Sequence, residues 1–290
     1  YFLKNGIVDN APSTIVPEAK APVEIVNIIQ AGTDKATLTL EDGSSIDLEK
    51  GKIIKTKNIK SNGEELIYDS SNKSTKEIAY NYLTIPRGGQ FHIKLADGTL
   101  VWLNSESQLK YPVAFAEGKT RIVELVYGEA YFEVSPSTEQ QGATFRVLHP
   151  SQEIEVLGTE FNVKAYIYTT LVEGKVSIST ATAKQILKPN QQSNLDLKNN
   201  QVSVHHADVN QEISWRRGLF SFKGKSLEEI AMVLSRWYDV DIEFSRPALR
   251  KVRFNGVLRK EEAIEEILNT IITTNSIKAY EINNKKIILK

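Results

Sequence analysis

The feature that most constrains the fold is a period of two in hydrophobicity that persists from residue 23 to about residue 213. Apolar and polar residues alternate over short runs such as 91–95, 122–126 and 130–134, and turn-forming pairs such as Asp-Gly and Asn-Asn separate these runs. Alternation of this kind is typical of antiparallel strands that bury one face and are joined by tight turns. Because no long amphipathic helix pattern interrupts the stretch, we predict an all-β unit.

A short internal repeat at an offset of 55 residues indicates that similar hairpins recur in this unit. Each copy places apolar residues on both sides of an Asp-Gly pair, which is Asp42-Gly43 in the first copy and Asp97-Gly98 in the second. An Asp-Gly pair between two alternating runs predicts a hairpin turn. Hairpins that stack in this way predict a layered β-structure, either solenoid-like or a sandwich.

The hydrophobic period changes after Trp215, which indicates a second unit. Ser226 and Glu229 have the spacing of a capping box, and apolar residues then recur at helical spacing up to Trp237. A second helix is predicted over 261–273, and a hairpin over Asn283-Asn284 closes the chain. The predicted order is β-α-β-β-α-β-β, a small α+β unit whose helices cover one face of a single sheet.

The predicted fold class is therefore mainly β with a smaller α+β domain. We expect an irregular lead-in over 1–22, an all-β domain of stacked hairpins over 23–213 and an α+β domain over 214–290. No apolar stretch approaches the length of about 18 residues that a membrane span requires.

Composition and charge exclude several classes of protein. The 290 residues include no cysteine, so disulfides, zinc–thiolate sites and a cysteine nucleophile are excluded. Lys and Arg number 36, as do Asp and Glu, so the whole chain has no electrostatic footprint for nucleic acid. Residues 214–290 nevertheless carry 15 basic and 10 acidic residues, a net charge of +5. This excess is typical of a solvated surface or of a face that docks another protein.

No arrangement of reactive side chains points to catalysis or metal binding. His205 and His206 are adjacent on a predicted strand and therefore point to opposite faces. Glu129, Glu133 and Glu160 also lie on predicted strands, and they leave a hydrolase open as a minor alternative. We predict that the protein is not an enzyme and that it has no cofactor and no metal site.

The tryptophans leave one further interpretation open, a carbohydrate-binding module. Trp237 falls on the apolar stripe of a predicted helix, which indicates a core residue. Trp102 follows the Asp97-Gly98 turn and is either a core residue or a platform for a sugar ring. Loss of glycan binding on substitution of Trp102 would distinguish this interpretation.

Several motifs, in the same order along the chain, resemble those of the FecR family of transmembrane anti-sigma regulators. In the β-rich part they are 86–90 (PRGGQ), 95–104 (LADGTLVWLN), 111–112 (YP), 128–134 (GEAYFEV), 156–163 (VLGTEFNV) and 170–174 (TLVEG). Three further motifs, 215–222 (WRRGLFSF), 234–240 (LSRWYDV) and 254–256 (FNG), resemble the C-terminal domain of the family, which is similar to the secretin/TonB short N-terminal domain. The resemblance extends from about residue 31 to residue 290.

The resemblance implies a role in signalling across the bacterial envelope. In the family, a periplasmic sensor docks the signalling domain of a TonB-dependent outer-membrane transporter and relays its substrate status to an extracytoplasmic-function sigma factor. A cytoplasmic segment binds the sigma factor, and one helix anchors the protein in the inner membrane. Both are absent from this sequence, so we expect a periplasmic part that does not itself bind the sigma factor. Family members also have a longer stretch before 170–174, so here either the hairpin is tight or residues are absent.

Exposed strand edges in the C-terminal unit are the predicted docking surface, because an open edge is a template for a strand of a partner. The two candidate edges are residues 219–223 and 286–290. The candidate partner-binding residues are Leu219, Phe220, Ser221, Phe222, Lys223, Lys285, Lys286, Ile287 and Ile288. The net charge of +5 favours an acidic partner.

Overall fold

The computed structural model describes residues 29–55, 59–63, 65–68, 79–165, 168–274 and 277–290. Within these ranges the chain is mainly β, with a smaller α+β portion at its C-terminal end, which confirms the predicted fold class. The predicted lead-in over 1–22 lies outside the described residues. Residues 166–167 also lie outside them; they belong to the connection before 170–174 that is longer in members of the FecR family.

Nineteen strands form the β-rich part that the structure describes. They are β1 (Thr33–Thr39), β2 (Ser45–Glu49), β3 (Ile54–Lys55), β4 (Ile59–Ser61), β5 (Glu65–Tyr68), β6 (Tyr80–Ile85), β7 (Gly89–Lys94), β8 (Leu100–Leu103), β9 (Ser107–Pro112), β10 (Arg121–Tyr127), β11 (Glu129–Glu133), β12 (Phe145–His149), β13 (Gln152–Val156), β14 (Glu160–Lys164), β15 (Tyr168–Glu173), β16 (Val176–Ser179), β17 (Lys184–Leu187), β18 (Gln191–Asp196) and β19 (Gln201–His206). A single 3₁₀ turn, Ser137–Gln140, interrupts this series.

The strands form two long ladders that share one core. The first has the order β2-β1-β6-β9-β10-β12-β13-β16-β17. The second has the order β3-β4-β5-β7-β8-β11-β14-β15-β18-β19. A short parallel pairing of β1 with β7 joins them. Alternate side chains of both ladders meet in one apolar core, so the stacked hairpins form a sandwich.

Both Asp-Gly hairpins that the repeat predicts are present. The β1–β2 hairpin turns at Asp42, whose carboxylate accepts from Ser44, and the β7–β8 hairpin turns at Asp97, whose carboxylate accepts from Thr99. Only in the second turn is the aspartate side chain buried, and there Asp97 also accepts a hydrogen bond from Arg121. Local turn chemistry is thus the same in both copies, while the surroundings differ.

Gly128 lies where two strands approach closely. It has φ +92°, and a Cβ atom built on it would lie 2.2 Å from Ser107 Oγ. The register of β9 against β10 shifts between Leu125 and Tyr127, just before this residue. Gly128, the residue directly before β11, therefore permits a bulge and a close backbone contact.

The α+β portion follows the predicted order of elements. After a short helix α1 (Val209–Glu212) and a 3₁₀ turn (Ser214–Arg217), its elements are β20 (Leu219–Ser226), α2 (Leu227–Tyr238), β21 (Asp241–Phe244), a 3₁₀ helix (Pro247–Lys251), β22 (Arg253–Arg259), α3 (Ile264–Thr273), β23 (Tyr280–Asn283) and β24 (Lys286–Leu289). The predicted capping box of α2 is formed by Ser226 and Glu229. Helix α3 begins three residues later than predicted, because Glu262 N donates to Arg259 O in a turn that precedes the helix.

The strands of this portion form two sheets, so the prediction of a single sheet was wrong. β20 pairs with β22, while β24 pairs with β21 on one side and β23 on the other. Apolar residues of both helices and of both sheets belong to one core. Helix α2 contacts β20 of one sheet and β21 of the other, so both sheets cover its apolar face.

Strand β24 is the central strand of its sheet, which corrects the prediction that residues 286–290 form an open edge. Ile287 is fully buried, with 0% of its surface exposed, and it pairs with Ile242 of β21 and Ile282 of β23. The parallel partner β21 lies more than 40 residues earlier in the chain, and a local pattern cannot reveal such a pairing.

Ile29, which precedes β1, packs into the core of the α+β portion and not into the core of the sandwich. A third, small cluster joins Tyr131 of β11 to Ile213 and Trp215 of the connecting segment. The domain boundary that we expect at residue 213 stays a prediction.

Candidate functional site

The loop 86–88, between β6 and β7, binds the C-terminal end of α2. Arg87 donates from Nη2 to the backbone oxygen of Ser235 at 3.0 Å and to that of Val240. The backbone N–H of Gly88 donates to Arg236 O at 2.7 Å. The last carbonyls of a helix have no partner within the helix and carry partial negative charge. A cation and an amide from the sandwich therefore cap the end of α2.

Two carboxylates complete the contact of Arg87. Its Nε lies 3.4 Å from Asp239 Oδ1, and its Nη1 lies 3.2 Å from Asp241 Oδ1. Asp239 also pairs with the exposed Lys285. Because these charges are partly exposed, the two backbone carbonyls are the stronger determinants of the contact.

Lys260, which follows β22, forms a second contact between the two parts. Its side chain is almost entirely buried, and its Nζ donates to Gln90 Oε1 at 2.8 Å and lies 3.6 Å from the centre of the Trp237 ring. Burial lowers the pKa of Lys260 to about 7, although the nearby Glu129 and Asp34 oppose this shift. A lysine at this pKa changes its charge near neutral pH.

The chain before β1 packs against the same tryptophan. A Cβ atom on Gly32 would lie 2.6 Å from the Trp237 ring, so only glycine fits there without a shift of the ring. Trp237 also donates from Nε1 to Lys260 O at 2.7 Å. The interface between the two parts is thus closely packed around one indole.

Arg216 covers Trp102 on the outer face of the sandwich. Its guanidinium lies 4.0 Å from the centre of the Trp102 ring and 4.4 Å from that of Tyr131, and it forms an ion pair with Glu133. His92 stacks on Trp102, with ring centroids 5.8 Å apart. Arg216 therefore occupies the position over the indole where a sugar ring would stack.

The strand carboxylates that left a hydrolase open bind neighbouring side chains. Glu129 accepts from the amide groups of Asn104 and Asn162, both at 2.9 Å. Glu160 accepts from the hydroxyl of Tyr131 at 2.6 Å, and burial together with Glu160 raises the pKa of that phenol. These groups fasten adjacent strands to one another, so their hydrogen-bonding capacity is used within the fold.

The described ranges contain no group of three or more His, Asp or Glu side chains that could hold a metal ion. Within the same ranges, no helix combines the length and the apolar character needed to cross a membrane.

The predicted partner-binding residues lie in two different sheets and are not brought together. In β20, Phe220 and Phe222 are buried, Leu219 and Ser221 are half-buried and Lys223 is exposed. In and before β24, Lys285 and Lys286 are exposed, Ile287 is buried and Ile288 is half-buried. Lys285 pairs with Asp239, which precedes β21, and Lys286 pairs with Glu243, which lies within β21.

The sequence did not predict the roles of Arg87 and Lys260, nor the position of β21 at the edge of its sheet within the described part of the chain. Arg87 belongs to the PRGGQ motif, one of the motifs that carry the family resemblance. The motif marks the position as important, but the sequence does not show that Arg87 contacts the end of α2. Lys260 stands in a charged run, 259–262, that resembles an ordinary solvated turn. No local feature distinguishes it from exposed lysines.

Comparisons with known proteins agree with this architecture. The family model described as "FecR protein" matches residues 81–177, and the model described as "FecR, C-terminal" matches residues 219–289. Two crystal structures of a candidate anti-sigma factor from Parabacteroides distasonis ATCC 8503, at 1.65 and 2.50 Å resolution, are similar to this chain. Each is 26% identical with a TM-score of 0.64, and each match covers 72% of this chain and 98% of the other.

A search of curated proteins gives no match. The two family models together cover more than half of the chain, and they fall on the sandwich and on the α+β portion in the expected order. The chain belongs to the FecR family of anti-sigma factors.

Proposed function

We propose that this chain is the periplasmic sensor of its anti-sigma factor and docks the signalling domain of a TonB-dependent outer-membrane transporter. The α+β portion receives the transporter domain, and the sandwich passes the docked state towards the inner membrane. An extracytoplasmic-function sigma factor, held by a cytoplasmic segment of the regulator, is the final recipient of the signal.

The observation that carries the proposal is the double contact between the two parts. Arg87 caps α2, and Lys260 reaches from the α+β portion to Gln90 of the sandwich. A partner that displaces α2 or the turn at Lys260 therefore acts on residues of the sandwich. Such a coupled pair of packed units is suited to relaying a docking event.

The α+β portion also presents surfaces suited to a protein partner. β20 pairs with only one strand of the described residues, β22, and Lys285 and Lys286 are exposed. We propose residues 219–223 and these two lysines as positions that contribute to docking, since an open edge and positive charge favour an acidic strand.

Isothermal titration tests the proposal directly. The probe is the purified N-terminal signalling domain of the TonB-dependent transporter encoded beside the gene for this chain. We expect saturable binding that charge reversal at Lys285 and Lys286 weakens, more strongly at low salt. Absence of binding by the unmodified chain at high micromolar concentration would refute the proposed partner. Unchanged binding by the lysine variants would remove only those positions.

A further inference from the structure

Strand β21 has one edge that bears unpaired main-chain groups. On the side of β24, Asp241 N donates to Lys285 O at 2.7 Å. Successive residues of a strand direct their N–H and C=O groups to opposite sides. The main-chain groups of Ile242 and Phe244 therefore point away from β24. No strand of the described ranges pairs with β21 on that side.

An open groove with a volume of about 410 Å³ runs along this edge. Helix α2 forms its other wall, where Met232 is 52% exposed. The lining residues that carry apolar surface are Ala231, Met232, Ile242 and Phe244. A methionine side chain adapts to partners of different shape, so an exposed methionine beside a free edge suits a bound strand.

Arg87 closes one end of this edge. Arg87 donates to the backbone oxygen of Val240. Val240 lies two residues before Ile242, so its main-chain groups point to the same side of the strand. A strand that pairs with Ile242 and Phe244 would end beside Arg87, so binding in the groove adjoins the contact that joins the two parts.

The charged residues that line the groove pair with one another, but the segment that follows β21 beyond the groove is basic. Residues 246–253 contain Arg246, Arg250, Lys251 and Arg253 and no acidic residue. Arg250 pairs with Glu228 at 2.7 Å, whereas no ion pair involves Arg246 or Lys251 within the described ranges. Arg246 and Lys251 do not line the groove, but a strand that extends past Phe244 would reach this segment, and their charge is complementary to carboxylates there.

We infer that the β21 edge is a strand-addition site for an extended segment of a partner protein that alternates acidic and apolar side chains. The inference rests on the proposed function, because the signalling domain of the transporter is the proposed source of this segment. β20 is the less suitable edge, since its register shifts between Phe222 and Lys225 and such a bulge discourages further pairing.

Amide NMR of the full chain tests the inference with two probes. The first is the signalling domain of the transporter, and the second is a short acetylated peptide of alternating Glu and Val, with a Lys-Val peptide as its control. We expect either acidic probe to slow hydrogen exchange at Ile242 and Phe244. Asp241 and Glu243 serve as internal references, because their amides already face β24.

Two substitutions on α2 form a matched pair. Met232→Glu places a negative charge in the groove, whereas Val233→Glu changes the adjacent residue, which is 38% exposed and does not line the groove. We expect Met232→Glu to weaken binding of both acidic probes at least about tenfold, and Val233→Glu by less than about twofold. Lys251→Glu is expected to weaken binding of the acidic peptide and to reduce its salt dependence.

The outcomes separate this inference from the proposed function. If the signalling domain binds and neither probe changes the exchange of Ile242 and Phe244, the groove is refuted and the docking function stands. If only the acidic peptide protects these amides, the groove is supported and the signalling domain is refuted as the source of the bound segment, while binding of the domain elsewhere would leave the docking function standing. Equal effects of Met232→Glu and Val233→Glu, or protection by neither probe, would overturn the inference.

Discussion

Arg121 and Asp97 form an ion pair inside the sandwich, with Arg121 Nη1 at 2.7 Å from Asp97 Oδ2 and both side chains 1% exposed. Arg121 also donates to the backbone oxygens of Ser135 and Ala143. The pair therefore ties the β7–β8 turn to the start of β10 and to the loop after β11.

Asp97→Asn should destabilise the protein strongly, because it leaves the Arg121 charge buried without a counter-charge. We expect the free energy of unfolding to fall by about 3–5 kcal/mol, as measured by urea denaturation. Asp42→Asn is the matched control, since Asp42 occupies the equivalent position of the exposed β1–β2 turn. The prediction fails if the two variants unfold at the same urea concentration.

Gly128→Ala should also destabilise the sandwich, through a steric conflict. Its Cβ atom would lie 2.2 Å from Ser107 Oγ and 2.5 Å from Glu106 O. Gly43→Ala is the control, because Gly43 has a similarly positive φ of +81° and no atom within 4 Å of its Cβ position. Both variants share the backbone strain of about 1 kcal/mol. Thermal denaturation should show a clearly larger loss for Gly128→Ala, and equal losses would contradict the close approach.

Arg87→Ala should loosen the contact between the two parts. It removes the Arg87 donor of Val240 O and one of the donors of Ser235 O, which also accepts from the backbone N–H of Val240. We expect the loss to cost about 1–3 kcal/mol. Arg236→Ala removes only the exposed ion pair with Glu106 and should cost less than about 1 kcal/mol. Hydrogen exchange in the last turn of α2 is the measurement, and it should accelerate in Arg87→Ala alone. Equal exchange in both variants would show that Arg87 does not hold the helix.

The elements that the sequence predicts well are those with local causes. The Asp42 and Asp97 turns and the Ser226–Glu229 capping box each depend on residues within a few positions of one another, so their spacing was sufficient. The alternating apolar residues likewise select the buried face of each strand, because side chains alternate with a period of two.

The features that escaped prediction depend on distant parts of the chain. Arg87 and Val240 are 153 residues apart, and Lys260 and Gln90 are 170 residues apart. The same holds for the strand order β21-β24-β23, which places residues 286–289 at the centre of a sheet and leaves one edge of β21 without a strand partner among the described residues. The candidate docking groove exists only because of this order, so local patterns give its residues but not its position.

Lys260→Met should change how stability depends on pH. In the folded protein the pKa of Lys260 is about 7, whereas its ordinary value is 10.5. Between these two values the unfolded chain binds more protons at this residue than the folded protein does. The free energy of unfolding therefore rises with pH across this window, with a limiting slope of about 1.4 kcal/mol per pH unit, and this contribution is lost as pH falls towards 7.

Methionine has a similar length and no charge, so Lys260→Met should remove this slope while it preserves the packing on Trp237. Urea denaturation between about pH 7 and pH 9.5, followed by tryptophan fluorescence, measures the difference between the two proteins. Lys251→Met, at an exposed position of the 3₁₀ helix, should retain the slope of the unmodified protein. If Lys260→Met also retains that slope, then Lys260 keeps its proton across this window and the cation lies permanently against the indole.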